Sequence, residues 1–256
     1  MKKVKNEITN ERPLVTVLTV SFNAESTISR TIEAVLNQTY PYIEYIIIDG
    51  NSTDKTVEIA KTYEPLFNKT HTKTLTIISE PDAGMYDALN KGAKMAHGYL
   101  VGQTNADDWY ETSAVETMVN LYNKESYDVA WGSIRIHKSS GEAIKHAKIG
   151  KLWTTTGWCH PAMFSKKEVL YEYPYICESM YDDFDFITSV YKAGKKIVTI
   201  DQIISNFSFG GMSTQKSLKQ VKKRVDILYK VYQTHGMSRL YYFQRWGVEL
   251  IKYILG

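Results

Sequence analysis

Residues 14–20 read LVTVLTV, and the polar segment SFNAEST follows directly at 21–27. A β-branched and apolar run of this length predicts a central strand that is buried on both faces, since such a strand needs no polar alternation. Apolar residues spaced by four, three and one then predict one face of a helix that starts at Ile28 and ends near Asn37. The segment is therefore a strand, a polar loop and a helix.

The same unit recurs three more times along the chain, with strands predicted at 43–48, 74–79 and 98–103. Four consecutive units predict an α/β fold, with a mainly parallel, twisted sheet and helices on both faces. Ligands of such sheets bind beyond the carboxyl ends of the strands, so we expect the four loops after these strands to converge on one crevice. The four loops are polar or acidic, at 21–25, 49–54, 80–84 and 105–108.

The pattern changes after residue 128, where the chain is predicted to become largely antiparallel. A hairpin is predicted around Ser139-Ser140-Gly141, and residues 152–164 form an aromatic-rich segment. A helix from about 182 to 193, a short strand at 197–200 and a Gly-Gly loop at 207–213 are expected to follow. The aromatic residues of the segment at 152–164 are Trp153, Trp158 and Phe164.

Composition places the chain among ordinary globular proteins, with 256 residues, 43% hydrophobic and 23% charged. No run reaches the about 18 apolar residues that a membrane-spanning helix needs, and no apolar segment follows the basic start as it would in an export signal. Cys159 and Cys177 are the only cysteines. We expect both to be buried free thiols of a protein in a reducing compartment, and the count excludes a disulfide framework.

The C-terminal residues 215–256 are basic, with nine Lys or Arg against two acidic residues, whereas the remainder of the chain is slightly acidic. Two helices are predicted there, at 216–235 and 239–254, and the second carries Phe243, Trp246, Leu250 and Ile254 along one side. Two interpretations stay open. The pair is either a helical cap packed on the core or a pair lying on an anionic membrane surface, with Trp and Tyr at the interface.

An acidic stretch, Asn105-Ala106-Asp107-Asp108-Trp109, follows the fourth predicted strand. Crowded carboxylates repel each other unless a positive charge joins them, and Mg²⁺ or Mn²⁺ combines a few carboxylates with water and substrate phosphates. The alternative is an acidic turn that caps a helix beginning near Glu111. The first loop, at 21–26, contains no glycine, and no Gly-x-x-x-x-Gly-Lys-Ser/Thr loop occurs, which argues against dinucleotide-binding and P-loop proteins.

Four segments, TVLTVSFNAES, YIIIDGNSTDKT, SEPDAGMYDALNKG and VGQTNADDW, together resemble the nucleotide-sugar half of the inverting family 2 glycosyltransferases, which have the GT-A fold. WCHPAMFSKK, YDDFDFITSVYKAGKK and NFSFGGMS resemble the acceptor half of a bacterial branch that builds surface polysaccharides. The resemblance implies a GT-A domain over 13–214, divided into a nucleotide-sugar half at 13–110 and an acceptor half at 111–214. Residues 215–256 then form a basic amphipathic helical tail.

The resemblance also implies which residues bind the donor. Asp49 would accept a hydrogen bond from the imide N–H of the base, the alternative being a turn-forming Asp before Gly. Asp82 would contact sugar hydroxyls, and Lys91 would contact phosphate or pair with Asp87 on the same helix face. The full set of implied donor-binding residues is Ser21, Asn23, Glu25, Asp49, Asp82, Gly84, Lys91, Asn105, Ala106 and Asp107.

A divalent cation, Mn²⁺ or Mg²⁺, is implied as the cofactor. The acidic stretch matches the family's Asp-x-Asp metal motif except at its first position, where Asn105 stands in place of Asp. Asp107 is the expected metal ligand, and Asp108 is either a second ligand or an outer partner. The metal would neutralise charge on the departing nucleoside diphosphate.

The segment Tyr181-Asp182-Asp183-Phe184-Asp185 matches the family's second acidic motif and places Asp183 at the position of the catalytic base. Asp182 and Asp185 are the nearby alternatives for the base. The alternative without a catalytic role is that these residues form only a helix N-terminus rich in Asp. His160 is either a satisfied core imidazole or an acceptor or metal contact. Ser213 and Lys216 are weak candidates for a diphosphate contact.

The expected function is metal-dependent, inverting hexosyl transfer from a nucleotide sugar, with a UDP-sugar favoured, to a saccharide or lipid-linked saccharide acceptor in polysaccharide biosynthesis. Two alternatives are a catalytically silent nucleotide- or carbohydrate-binding protein and a sugar-nucleotide pyrophosphorylase; the absence of a Gly-rich, basic first loop argues against the latter. We expect a cytoplasmic protein without a nucleic-acid partner. Peripheral contact of the tail with the inner face of the membrane and homo-oligomer formation stay open.

Overall fold

The structure is a computed structural model that describes residue 9 and residues 11–150, 157–210 and 217–255, without the side chains of Lys252 and Leu255. Trp153, Ser213 and Lys216, which the sequence singled out, lie outside these ranges. The strands are β1 (Val15–Ser21), β2 (Ile43–Asp49), β3 (Lys73–Ser79), β4 (Leu100–Asn105), β5 (Trp109–Tyr110), β6 (Val129–Lys138), β7 (Gly141–Lys145), β8 (Met163–Lys166) and β9 (Ile197–Ser208).

Helices flank these strands, and a 3₁₀ turn at His160–Ala162 precedes β8. In chain order the helices are α1 (Ile28–Leu36), α2 (Thr56–Lys61), α3 (Glu64–Thr70), α4 (Met85–Met95), α5 (Ala114–Glu125), α6 (Lys167–Glu172), α7 (Asp182–Lys192), α8 (Leu218–Thr234) and α9 (Leu240–Leu255). The α/β fold is confirmed. The acidic stretch does not cap a helix near Glu111, because β5 follows it and α5 begins only at Ala114.

The described strands form one sheet in the order β3-β2-β1-β4-β8-β6-β9-β5, with β7 paired to β6. The neighbours β3, β2, β1 and β4 are parallel, as predicted. Their register aligns Ser21 with Asp49 and Asp49 with Ser79, and it aligns Val20 with Asn105. The polar residues that end the four strands therefore lie side by side at one edge of the sheet.

The second half of the sheet is antiparallel only in part. β8 pairs antiparallel with β4 and β6, and the predicted β6–β7 hairpin is present, but β6 and β9 are parallel. β9 also runs to Ser208, well beyond the predicted 197–200. Asp201 and Gln202 interrupt its apolar pattern where the register of β6 and β9 shifts, which is why a short strand was expected.

β1 and the segment before β4 approach closely at Gly98. A Cβ added there would lie 2.3 Å from the backbone nitrogen of Thr16 and 2.6 Å from its Oγ1. The Gly98 N–H donates to this same hydroxyl at 2.9 Å, so the two segments cannot separate without losing a buried hydrogen bond.

We therefore expect Gly98→Ala to lower the free energy of unfolding by about 3 kcal/mol, because the added methyl group forces the backbone apart. Urea denaturation followed by circular dichroism measures it. Gly247→Ala is the matched control, since nothing lies within 4 Å of a Cβ added in the middle of α9. Equal stability of the two variants would contradict the close approach.

The two C-terminal helices behave differently. α8 packs on the core through Leu228, Val231 and Tyr232, and the Tyr232 ring lies 6.2 Å from that of Phe184 in α7. α9 packs against α8, yet the apolar side predicted for it is buried only in part. Phe243 and Ile254 are 70% and 74% exposed, whereas Trp246 and Leu250 are half-buried.

The cysteine prediction is half right. Both cysteines are free thiols, but only Cys159 is buried. Cys177 is exposed in the loop before α7, where its backbone is left-handed with a φ of +59°.

Among the described helices, none has the length and apolar character needed to cross a membrane.

Candidate active site

Asp49 lies at the end of β2, in the centre of the polar edge, and is almost fully buried. Its Oδ1 accepts hydrogen bonds from the hydroxyls of Ser21 at 2.8 Å and Ser52 at 2.5 Å. Its Oδ2 accepts from the Ser79 hydroxyl at 2.7 Å and the Ser52 backbone N–H at 2.8 Å. The carboxylate thus joins the ends of three strands, and its contact with a base stays a prediction.

Asn23 and Glu25 connect the loops that follow β1 and β2. Asn23 adopts a left-handed backbone with φ of +49°, which Asn tolerates better than most residues, and its Oδ1 accepts from the Thr53 N–H at 2.9 Å. Glu25 accepts from the Lys55 N–H at 3.0 Å. Both side chains are exposed and belong to the wall of the predicted crevice, but their donor contacts stay predictions.

Asp82 and Gly84 shape the loop between β3 and α4. Asp82 accepts from the Gly84 N–H at 2.8 Å, and a Cβ at Gly50 would lie 2.7 Å from its Oδ2, so the carboxylate rests against the loop after β2. Gly84 has a φ of +113°, a conformation that favours glycine. The third and second loops of the crevice are therefore in contact.

Lys91 braces this loop from α4. Its Nζ donates to the Pro81 carbonyl at 2.8 Å and forms ion pairs with Glu80 at 3.1 Å and Asp87 at 3.4 Å. Of the two alternatives for Lys91, a phosphate contact and pairing with Asp87, the structure contains the pairing with Asp87. A phosphate contact would require the ammonium group to exchange these partners, and it stays a prediction.

Asp108 is fully buried behind the acidic turn. Its Oδ1 accepts from the Ser208 N–H at 2.9 Å and its Oδ2 from the Asn105 side-chain amide at 3.1 Å. Burial, and then the charge of Asp107, raise the pKa of Asp108 to about 7. With both oxygens engaged inside the protein, Asp108 fits the outer supporting role and not that of a second metal ligand.

Asp107 differs from Asp108 in its exposure and in its partners. It is half-buried, burial raises its pKa, and no other described side chain donates a hydrogen bond to its carboxylate. Among the described residues, no group of three or more His, Cys, Asp or Glu side chains could hold a metal by itself. Mg²⁺ and Mn²⁺ often take only one or two carboxylates and complete their shell with water and phosphate oxygens, so Asp107 fits such a cation.

Arg30 supports the acidic turn and was missed by the sequence analysis. Its guanidinium donates to the Asp107 carbonyl at 2.9 Å and to the Ser208 hydroxyl at 3.2 Å, and it stacks 3.6 Å from the centre of the Trp109 ring. Burial lowers the pKa of Arg30, and the charges of Asp107 and Asp108 oppose this. Asp107 and Ser208 lie 77 and 178 positions from Arg30 in the chain, so no local pattern in the sequence indicates that they are in contact.

Asp183 lies in the first turn of α7 and is held from two sides. Its Oδ1 accepts from the Tyr86 hydroxyl at 3.1 Å, and its Oδ2 accepts from the Trp158 indole N–H at 2.9 Å. The side chain stays partly exposed. A carboxylate fixed by donors from two other elements has the defined orientation that a general base needs. Tyr86 and Trp158 lie 97 and 25 positions from Asp183, so no local pattern links them to it.

The two neighbouring carboxylates have other partners. Asp182 is buried and accepts from the backbone N–H groups of Glu178 and Ser179 at 2.9 and 2.8 Å, which closes the loop before α7. Asp185 is buried against His235 at the end of α8, with 2.8 Å between Oδ1 and Nε2. Both are committed to holding the fold, which leaves Asp183 as the carboxylate suited to chemistry.

His160 is half-buried beside the rings of Tyr86 and Trp158, and desolvation lowers its pKa. Its Nε2 lies 3.1 Å from both Gln103 Oε1 and the Tyr175 hydroxyl. Of the two alternatives for His160, the structure therefore contains the imidazole that is hydrogen-bonded within the protein. Nearby, Asn90 holds α4 against the loop before α7, because it exchanges hydrogen bonds of 2.8 and 3.0 Å with the Tyr175 backbone.

Comparison with known sequences decides the family. The model of the family described as glycosyl transferase family 2 matches residues 16–181, more than half of the chain. The chain belongs to glycosyl transferase family 2. Its matched part runs from β1 to the residue before α7 and so includes every candidate donor-binding and metal-binding residue.

Relatives of this family 2 glycosyltransferase include a Bacillus subtilis protein named as the teichuronic acid biosynthesis glycosyltransferase TuaG. The two are 34% identical over 119 residues, which is 46% of each chain. The chain thus spans less than half the length of this relative.

Solved structures confirm the GT-A fold. The Staphylococcus aureus TarS fragment 1–349 with UDP-GlcNAc has a TM-score of 0.66 at 15% identity, over 92% of this chain and 71% of that one. The mannosyltransferase PcManGT from Pyrobaculum calidifontis, with GDP-Man and Mn²⁺, has a TM-score of 0.66 at 17% identity, over 94% and 70%. At this identity the likeness concerns the fold alone.

Proposed function

We propose that this family 2 glycosyltransferase is an inverting hexosyltransferase that moves a sugar from a nucleotide donor to a saccharide or lipid-linked saccharide acceptor. A UDP-sugar is the favoured donor, as in the UDP-GlcNAc complex of TarS. Surface-polysaccharide biosynthesis is the proposed setting, supported by the name of the TuaG relative. Two cysteines without a disulfide support a cytoplasmic location.

The observation that carries the proposal is the pair of hydrogen bonds that holds Asp183, one of them from Tyr86. Tyr86 belongs to α4, which begins directly after the donor loop at Asp82 and Gly84, so the base is anchored to the donor side of the site. The acceptor hydroxyl loses its proton to Asp183 while its oxygen bonds to the anomeric carbon. The bond from that carbon to the diphosphate breaks, and the nucleoside diphosphate leaves.

Asp107 would hold a divalent cation, with Asp108 and Asn105 supporting the turn from behind. A mannosyltransferase of the same fold has been solved with Mn²⁺, which supports metal dependence in general. When bound, the cation supplies Lewis-acid neutralisation of the diphosphate charge. The loops with Asn23, Glu25 and Asp49 would then receive the nucleotide, and Asp82 the sugar.

A panel of UDP-, GDP- and dTDP-sugars tests the function. We expect Mn²⁺-dependent hydrolysis of at least one donor in the absence of acceptor, and loss of this activity in EDTA. A chain that binds a donor but turns over none of them would instead be a silent binding protein. Inorganic pyrophosphate release from a nucleoside triphosphate and a sugar phosphate would indicate a pyrophosphorylase.

Trp158→Phe should lower kcat for transfer about tenfold while KM for the donor changes little, because the substitution removes one hydrogen bond to the base and keeps an aromatic ring. Initial rates at saturating acceptor measure this, with circular dichroism to confirm folding. Trp246→Phe in α9 is the matched control and should leave kcat unchanged. A rise in donor KM without a fall in kcat would show that Trp158 does not position Asp183.

A further inference from the structure

Gln103 lies near the end of β4 and is 1% exposed. Its Oε1 accepts a hydrogen bond of 2.6 Å from the Tyr175 hydroxyl and lies 3.1 Å from His160 Nε2. The Tyr175 hydroxyl and His160 Nε2 are themselves 3.1 Å apart. We call these three side chains the Gln103 cluster. It joins a strand, the 3₁₀ turn before β8 and the loop before α7.

The two titratable members of the Gln103 cluster are neutral at neutral pH. Desolvation lowers the pKa of His160, and the charge of Asp183 opposes this only in part. Burial, and then the charge of Asp183, raise the pKa of Tyr175 well above its ordinary value. With its one hydrogen on Nε2, the imidazole donates to Gln103 Oε1, and the Tyr175 hydroxyl donates to the same oxygen. One amide oxygen therefore fixes both rings.

Both side chains that donate to Asp183 rest on this cluster. The centre of the Tyr86 ring lies 5.0 Å from that of Tyr175 and 6.3 Å from that of His160. The Trp158 ring lies 6.1 Å from that of His160. Tyr86 and Trp158 are buried, and close packing lets neither ring move independently of the rings beneath it. The direction of both donors therefore depends on the Gln103 cluster.

We propose that Gln103 is a positioning residue for Asp183. It acts through the rings of Tyr175 and His160, on which the two donors to Asp183 rest. The inference rests on the proposed role of Asp183 as the base. The alternative is a polar cluster that stabilises the core and nothing more. Such a cluster would affect the melting temperature of the protein, but not the rate constant of the molecules that are folded.

Tyr175→Phe tests the proposal most directly, because it keeps the ring against Tyr86 and removes only the hydroxyl bonded to Gln103. We expect kcat for transfer to fall about fivefold while KM for the donor stays within about twofold, because the base acts in the reaction step and not in donor binding. Gln103→Met removes the oxygen that both partners share and should lower kcat about tenfold. Initial rates at saturating acceptor measure both variants. If Gln103→Met does not fold, Tyr175→Phe decides.

The Asp183→Asn variant shows whether the effect passes through the base. Without a base there is no proton acceptor for the Gln103 cluster to position. Adding Tyr175→Phe to Asp183→Asn should therefore lower the residual rate by less than about twofold, whereas independent effects would multiply. A radiolabelled donor makes the residual rate measurable.

Tyr45→Phe is the matched control. Tyr45 lies in β2, is fully buried and donates a hydrogen bond of 3.0 Å to Thr19, so the substitution removes a buried hydroxyl of the same kind. Its melting temperature should fall about as far as that of Tyr175→Phe, while kcat should equal that of the parent.

Two results would overturn the inference alone. One is that Tyr175→Phe lowers the melting temperature and leaves kcat unchanged, as Tyr45→Phe is expected to do. The other is that Tyr175→Phe lowers the rate as much in the Asp183→Asn background as in the parent. If Asp183→Asn itself keeps the parent's rate, or if the parent turns over no donor, the proposed function fails and the inference fails with it.

Discussion

Asp183→Asn is expected to lower kcat for sugar transfer by about 10³-fold, because an amide cannot take the proton of the acceptor hydroxyl. The Asn oxygen can still accept from Tyr86 or Trp158, so the fold and donor affinity should be preserved. Initial rates with the donor found in the panel measure the loss, and titration of the nucleoside diphosphate measures binding.

The neighbouring carboxylates provide the controls for this experiment. Asp182→Asn should keep most of kcat, since the Asn oxygen can still accept one of the two backbone hydrogen bonds from the loop before α7. Asp185→Asn should lower the melting temperature more than kcat, because it weakens the contact with His235. If Asp185→Asn lost as much kcat as Asp183→Asn while remaining folded, the assignment of the base would be wrong.

Asp107→Ala is expected to lower transfer by about 10³-fold and to abolish any strengthening of donor binding by Mn²⁺, because it removes the proposed cation ligand. The melting temperature without metal should not fall, and should even rise slightly. Burial raises the pKa of Asp107, and no other described side chain hydrogen-bonds to it, so its charge costs stability in the absence of a cation.

Asp107→Asn distinguishes charge from oxygen ligation, since it keeps an oxygen ligand and should recover part of the activity at high Mn²⁺ concentration. Glu58→Ala, at an exposed position of α2, is the control for general charge loss and should behave like the parent. Mn²⁺-dependent donor binding that survives in Asp107→Ala would falsify the metal assignment.

The fold was largely predictable because its first half repeats one pattern. Strong apolar strands, polar loops and amphipathic helices fix local structure, and right-handed crossovers leave few arrangements of such units. The predicted length of β9 was wrong for a specific reason. The polar residues Asp201 and Gln202 indicate the end of a strand, but the chain bulges there and then resumes pairing with β6. Only contacts with a distant strand could reveal this.

The apolar side predicted for α9 shows the same limit at the surface. Periodicity identified an apolar side that includes Phe243 and Ile254, but periodicity does not say whether such a side faces the core or the solvent. Its outward direction is set by Glu249, which pairs with arginines of two helices.

By itself, the sequence determined the α/β units, the converging polar loops and the carboxylates at their ends, because these depend on local propensity, spacing and motif. Only the tertiary structure decided which of these carboxylates are occupied by partners inside the protein. Asp108 and Asp182 are buried in hydrogen bonds, and Asp185 is paired with His235. Asp107 and Asp183 remain partly exposed. Burial and partners drawn from 100 residues away, as for Asp108 and Ser208, set the chemistry of a side chain, and neither is encoded in its neighbours along the chain.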